Sequence, residues 1–235
     1  MKYMISVYLW LVGFIYFVFF LIFALTVSFF ISPEKYNPWL KKVLRLFFKV
    51  MWIPVEVVGA EKIDPNRTYL YMANHVSLFD IPLLGGYLPG FVRGVEAIRQ
   101  HRWPLYGLAM GRLGNIPIEQ SDIHGSIATI RQTIRVMRQG RSMIILPEGH
   151  RTLDGKLRPF KKLPFFLAKQ VESEVIPVGL SGLFTLKNKG SWLIKPIKLK
   201  VKFGSIISAD TVKSLTIYDL SELVREQIND LVEYP

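Results

Sequence analysis

From Tyr3 to Ser32 the chain carries no charged residue and few polar ones. A helix of that length runs about 45 Å, longer than the ~30 Å hydrocarbon core of a bilayer. It is apolar all round, unlike a surface helix, and too long for the apolar core of a signal peptide. A membrane helix is expected, either crossing the bilayer or lying in one leaflet. Ser32-Pro33-Glu34-Lys35-Tyr36-Asn37-Pro38 then breaks it. From Trp39 to Trp52 the pattern turns amphipathic. Lys41, Lys42, Arg45 and Lys49 share one face, Leu40, Val43, Leu44, Phe47, Phe48 and Met51 cover the rest, and Trp39 and Trp52 stand at the ends. Those residues are expected at a membrane interface, with packing on the following domain as the other reading. Residues 1–52 are thus expected to form a membrane-anchoring helix pair. The basic flank after the apolar run places the rest of the chain on the cytoplasmic side.

Residues 53–235 show short apolar runs alternating with amphipathic stretches. Strands are predicted at Tyr69–Ala73, Gly90–Val95, Gly114–Ile118, Met143–Leu146, Val175–Leu180 and Leu199–Phe203. Helices are predicted at Ser126–Gln139, where Ile127, Ile130, Ile134 and Met137 form one face, at Phe160–Val171 and at Asp219–Val232. The fold class expected is α/β, a mixed sheet flanked by helices.

Half of the 235 residues are hydrophobic, yet the formal net charge is +12. Six basic side chains against Glu34 lie in the first 52 residues, and the remaining excess lies in the domain. Such a balance points to a phosphate-rich partner. Nucleic acid is not expected, because no recognised binding motif occurs and the aromatic residues concentrate in the apolar segment. The absence of cysteine excludes disulfides, thiolate zinc sites and a cysteine nucleophile. No phosphate loop, serine elbow or paired-histidine metal motif is present, and the four histidines are scattered, so no metal site is expected.

Two segments carry candidate chemistry. Asn74-His75 sits at the end of a predicted strand, and Asp80 falls where a helix would begin. On one continuous helix His75 and Asp80 would stand about 140° apart. With His75 in a loop, the carboxylate can reach back to one ring nitrogen, fix the tautomer and leave the other nitrogen as a general base. A helix cap beside a surface histidine is the plainer alternative. The second segment, Leu146-Pro147-Glu148-Gly149-His150-Arg151, ends a strand in a polar turn. Arg151 offers a two-pronged donor to phosphate, and Lys156, Arg158, Lys161 and Lys162 follow.

Taken in order, Asn74-His75-x-x-x-x-Asp80, then Pro147-Glu148-Gly149-x-Arg151, then Val175-Ile176-Pro177-Val178-Gly179 resemble the glycerolipid acyltransferases, the 1-acylglycerol-3-phosphate acyltransferases. Asp154-Gly155-Lys156-Leu157-x-x-Phe160-Lys161 follows the same pattern, and the resemblance spans roughly residues 50–205. It implies transfer of an acyl chain from acyl-CoA or acyl-carrier protein, with no bound cofactor, to lysophosphatidic acid. His75 would act as base, held by Asp80. Glu148, Gly149, Arg151, Lys156 and Lys161 would seat the acceptor and its phosphate. The anionic bilayer would be the remaining partner. Three positions depart from the pattern: His150 replaces threonine, Gln120 replaces arginine, and Leu163 stands where glycine is usual. They leave glycerol-3-phosphate or another lysophospholipid as an alternative acceptor. A non-enzymatic module that binds anionic lipid is the more remote alternative.

Overall fold

The structure, a computed structural model, describes residues 2–118 and 123–235, and of 123–127 the backbone alone. In chain order the elements are α1 (Lys2–Ser28), α2 (Pro33–Val50), β1 (Val55–Val58), β2 (Tyr69–Ala73), α3 (Asp80–Tyr87), β3 (Val92–Ala97), α4 (Ile98–His101), α5 (Tyr106–Leu113) and β4 (Ile116–Ile118). Then follow α6 (Ile123–Arg138), β5 (Ser142–Ile145), α7 (Lys162–Val171), β6 (Glu174–Ser181), α8 (Leu183–Leu186), β7 (Leu199–Phe203), α9 (Ala209–Ser214) and α10 (Ile217–Leu231). The strands form one mixed seven-stranded sheet in the order β1-β7-β6-β2-β5-β3-β4. From β6 to β4 all neighbours are parallel, β7 runs antiparallel to β6, and β1 runs parallel to β7.

Every residue of β2 is buried, as a central parallel strand covered on both faces requires. Its alternation splits the core. Tyr69, Tyr71 and Ala73 join Leu9, Phe47, Phe48, Met51, Phe79 and Leu83 on the face covered by α1, α2 and α3. Leu70 and Met72 join Met143, Phe165, Leu220, Val224 and Ile228 under α7 and α10. A third cluster, with Phe20, Leu21, Ala24, Tyr36, Leu40 and Met110, ties α1 and α2 to α5.

The expected helix pair is corrected to one apolar helix. Only α1 is long and apolar enough, among the described residues, to cross a membrane. The helix α2 packs against α3 through Phe47, Phe48 and the stem of Leu44. It also starts six residues before the expected Trp39. Pro33 occupies the first turn, where its missing N–H is no loss and its fixed φ suits a helix. Pro38 cannot donate to the Glu34 carbonyl, but both residues are exposed, so solvent can serve that carbonyl.

Along its length α1 is fastened to the domain. The Ser6 hydroxyl accepts from the Ile194 amide at 3.1 Å, and the Trp10 indole donates to the Trp192 carbonyl at 2.6 Å. Tyr16 donates to the Val43 carbonyl at 2.7 Å. At the far end Arg112 donates to the Ser28 carbonyl at 2.7 Å. Burial of Leu9, Phe20 and Leu21 on this side contributes roughly 1.5–3 kcal/mol each. The opposite side stays open, with Met4, Val7, Leu11, Phe14, Ile15 and Phe19 exposed.

Candidate active site

At the end of β2 the ladder to β6 is continued by a side chain. The Asn74 amide donates to the Leu180 carbonyl at 3.0 Å and accepts from the Leu180 amide at 2.7 Å. Asn74 thus fixes the point at which the chain leaves the sheet. The next residues turn sharply into α3, whose first residue is Asp80.

Asp80 is fully buried, and its carboxylate is surrounded by donors. Oδ2 accepts from the Val76 amide at 2.7 Å, and Oδ1 accepts from the Ser77 amide at 2.9 Å. His75 Nδ1 lies 2.7 Å from Oδ2. A carboxylate held by backbone N–H groups is an acceptor, so Nδ1 carries the proton toward it. Nε2 is then the basic nitrogen, and it has no hydrogen bond to another described residue. The ring is 20% exposed, enough to meet a substrate while its other edge is fixed.

Glu148 holds the backbone of this turn. Its Oε1 accepts from the His75 amide at 2.7 Å, and its Oε2 accepts from the Arg158 amide at 2.8 Å. Burial raises its pKa, and the two amides and the His75 ring work against that rise. With both oxygens engaged by backbone amides, Glu148 is a strut between the histidine turn and the loop after β5.

Gly149 adopts a φ of +71°, in the region that favours glycine. A Cβ there would lie 2.7 Å from Cε of Lys161 and 3.0 Å from its Nζ, so the missing side chain admits the lysine. Arg151 adjoins His75, since the next amide, that of Thr152, donates to the His75 carbonyl at 2.9 Å. Partial burial first, and then Lys161, Arg158 and Lys189, lower the His150 pKa and favour its neutral form. Lys156 is exposed, and its described bond is made by its backbone amide to Asp154 at 3.0 Å. The structure therefore brings His75, Asp80, Glu148, Gly149, Arg151 and Lys161 together and leaves Lys156 outward on the rim. Gln120 lies outside the described residues.

The interface residues divide. Trp39, Lys42, Lys49 and Trp52 are exposed. Lys41 is half-buried and Arg45 is exposed, yet both are tied by hydrogen bonds to the end of α3. The Lys41 ammonium donates to the Gly90 carbonyl at 2.5 Å and to that of Leu88, and Arg45 Nε donates to the Gly86 carbonyl at 2.8 Å. These carbonyls crowd the C-terminal end of α3, where cations are favoured. Residue spacing specified the shared face but not the carbonyls it would meet.

Sequence reasoning missed the back of the site. The Ser77 hydroxyl donates to the Lys187 carbonyl at 2.6 Å, which ties the segment after α8 to the histidine turn. The run Lys187-Asn188-Lys189 after a predicted strand was the available signal.

The acyltransferase family profile matches residues 54–181. A coconut (Cocos nucifera) 1-acyl-sn-glycerol-3-phosphate acyltransferase is 30% identical over 182 residues, covering 74% of this chain and 58% of that protein. The protein of the same name from Saccharomyces cerevisiae is 29% identical over 197 residues, covering 80% of this chain and 64% of its own length. The chain thus spans less than two thirds of either relative. The crystal structure of the 1-acyl-sn-glycerophosphate (LPA) acyltransferase PlsC from Thermotoga maritima superposes with a TM-score of 0.81 at 26% identity, covering 97% of this chain and 93% of that one.

Proposed function

The chain belongs to the acyltransferase family, and from that premise we propose that it moves an acyl chain from a thioester to the sn-2 hydroxyl of 1-acyl-glycerol-3-phosphate, giving phosphatidic acid. The observation that carries this reading is the open Nε2 of His75, with Nδ1 fixed on buried Asp80 and a cationic rim beside it. The named relatives and the Thermotoga enzyme support the acceptor.

In this reading the acceptor hydroxyl attacks the thioester carbonyl as Nε2 takes its proton. Asp80 stabilises the imidazolium that forms. The tetrahedral oxyanion collapses, the carbon–sulfur bond breaks, and the imidazolium returns the proton to the leaving thiolate. The products are an ester and a free thiol, with His75 restored. Arg151 and Lys161 hold the acceptor phosphate. The donor is acyl-CoA or acyl-carrier protein, and no cofactor takes part.

The open side of α1 is the surface that meets lipid. A helix fastened to the domain near Ser6 and again at Ser28 cannot leave it to cross a bilayer. The reading is therefore a helix lying in one leaflet, with Trp39, Lys42, Lys49 and Trp52 at headgroup level and the domain on the cytoplasmic face.

Purified protein in neutral detergent, given acyl-CoA and lysophosphatidic acid, is expected to form phosphatidic acid and one thiol per ester. His75→Ala is expected to abolish both. Equal activity in the variant would remove His75 as the base. His150 favours a second reading, in which glycerol-3-phosphate or another lysophospholipid is the better acceptor, and an acceptor panel with mass-spectrometric detection separates the two.

A further inference from the structure

Lys187 follows α8 and is 7% exposed. The bond from Ser77 to its carbonyl sets it against the turn that holds His75 and Asp80. Its ammonium lies 5.9 Å from the centroid of the Trp10 ring on α1 and donates to the Asn188 carbonyl at 2.7 Å. No carboxylate pairs with it among the described residues. Arg151 also adjoins this turn, because the amide of the next residue, Thr152, donates to the His75 carbonyl at 2.9 Å. Its guanidinium has no hydrogen bond or ion pair to a described residue. Two cationic residues therefore adjoin the histidine turn, and neither pairs with a carboxylate among the described residues. Burial first, and then Arg151, lower the Lys187 pKa, as expected for a partly desolvated ammonium beside a second cation. Such a pair is unfavourable alone and is relieved by an anion placed between its members.

We propose that Lys187 and Arg151 form a two-cation clamp for the acceptor phosphate, with Lys187 on its membrane side. The proposal rests on the reading that the acceptor is a lipid phosphomonoester. Such a group carries close to two charges and three terminal oxygens. It can accept the planar fork of Arg151 and the point charge of Lys187 together. A thioester donor also bears phosphates. The acceptor is favoured because Trp10 ties the ammonium to α1, the helix whose open side is apolar. The headgroup of a lipid sits at that level, whereas the phosphates of CoA or a carrier protein belong to its water-soluble part.

The test compares Lys187→Gln and Lys187→Arg with wild type in micelles of neutral detergent, where surface charge plays no part. Either substitution leaves the carbonyl that Ser77 uses. Lys187→Gln is expected to raise KM for lysophosphatidic acid about ten- to a hundredfold, the loss of one charged hydrogen bond. KM for acyl-CoA is expected to stay within about twofold, and Lys187→Arg to recover most of the loss. Turnover of monoacylglycerol, which has no phosphate, is expected to be unaffected. An unchanged acceptor KM overturns the clamp. So does a rise confined to acyl-CoA, which assigns the cation to the donor, or an equal loss with both acceptors, which makes Lys187 structural. Inorganic phosphate gives a reading that needs no variant: competition against lysophosphatidic acid supports the clamp, and competition against acyl-CoA alone overturns it. Wild type that acylates no lysophosphatidic acid refutes the reaction and the clamp together. Active wild type matched by Lys187→Gln refutes the clamp alone.

Discussion

Replacing Asp80 by asparagine keeps the size of the side chain and removes its charge, so the consequences follow from the donors around it. The carboxylate receives the His75 ring and the Val76 amide on Oδ2, and the Ser77 amide on both oxygens, at 2.9 Å on Oδ1 and 3.0 Å on Oδ2. An asparagine can place its oxygen at only one of these positions. With oxygen at the Oδ2 position, it can still accept from the Ser77 N–H at 3.0 Å, but its NH2 takes the Oδ1 place and faces that same N–H. With oxygen at the Oδ1 position, the NH2 faces the Val76 N–H and forces Nδ1 to accept, which moves the ring proton to Nε2 and removes the base. Either choice sets two donors against each other in a buried site, at a cost of roughly 1–3 kcal/mol in folding stability. The first choice keeps the tautomer but weakens a charged hydrogen bond to the imidazolium, and turnover falls about tenfold or more. The second brings the loss to about 10⁴-fold, the scale on which a wrong tautomer acts. The assay is thiol release at saturating acyl-CoA and lysophosphatidic acid, with urea unfolding run on the same preparations. Asp80→Asn that folds and keeps kcat within twofold of wild type would refute the role given to the carboxylate.

Three further outcomes follow from other parts of the molecule. Gly149→Ala places a Cβ at 2.7 Å from Lys161 and an alanine at a φ of +71°; a stability loss of about 1 kcal/mol or more is expected, with a raised acceptor KM, and calorimetry with steady-state kinetics checks both. Lys41 is held at about 8, against 10.5, by burial first and then by Arg45 and Arg93. The folded chain releases this proton before the unfolded chain does, so Lys41 adds stability as pH climbs from about 8 to 10.5 and is a burden below that window. The unfolding free energy of wild type minus that of Lys41→Met should rise over this range, and a flat difference would count against the buried ammonium. On α1, Phe14→Glu is expected to weaken partition into anionic vesicles without lowering the thermal midpoint in detergent, whereas Leu21→Ala is expected to cost about 2–5 kcal/mol and leave partition intact. The reverse pattern would place lipid on the wrong side of the helix.

Where residue pattern and burial agree, the fold was legible. β2 and β7 lie where their apolar runs predict, and the ends of β5, β6 and α10 differ by one or two residues. β1 was missed because Val55-Glu56-Val57-Val58 is short and sits at a sheet edge, where alternation is weak. β3 was placed two residues early because Gly90, with its positive φ, belongs to the preceding turn, and because buried Arg93 and Glu96 interrupt the apolar pattern. The four-residue helices α4 and α8 are too short for a period to show. At the site, the spacing of His75 and Asp80 was informative because a strand end and a helix start bracket it. The strut formed by Glu148 was not, since its partners are backbone amides that any residue supplies. Lys187 was passed over because its nearness to Ser77 spans 110 positions along the chain.

The Asn74 amide, by standing in for one more rung of backbone pairing, gives the two halves of the site different mechanical origins. His75 hangs from the middle of the sheet, so its position inherits the stiffness of strands on both sides. Gly149, Arg151 and Lys161 hang from the connection between β5 and α7, which meets the histidine turn through Glu148 and the Thr152 amide. Substrate preference can therefore drift through substitutions in that connection that spare Glu148 and the Thr152 amide, while the proton-transfer geometry stays put, much as a lathe keeps its spindle while the chuck is exchanged.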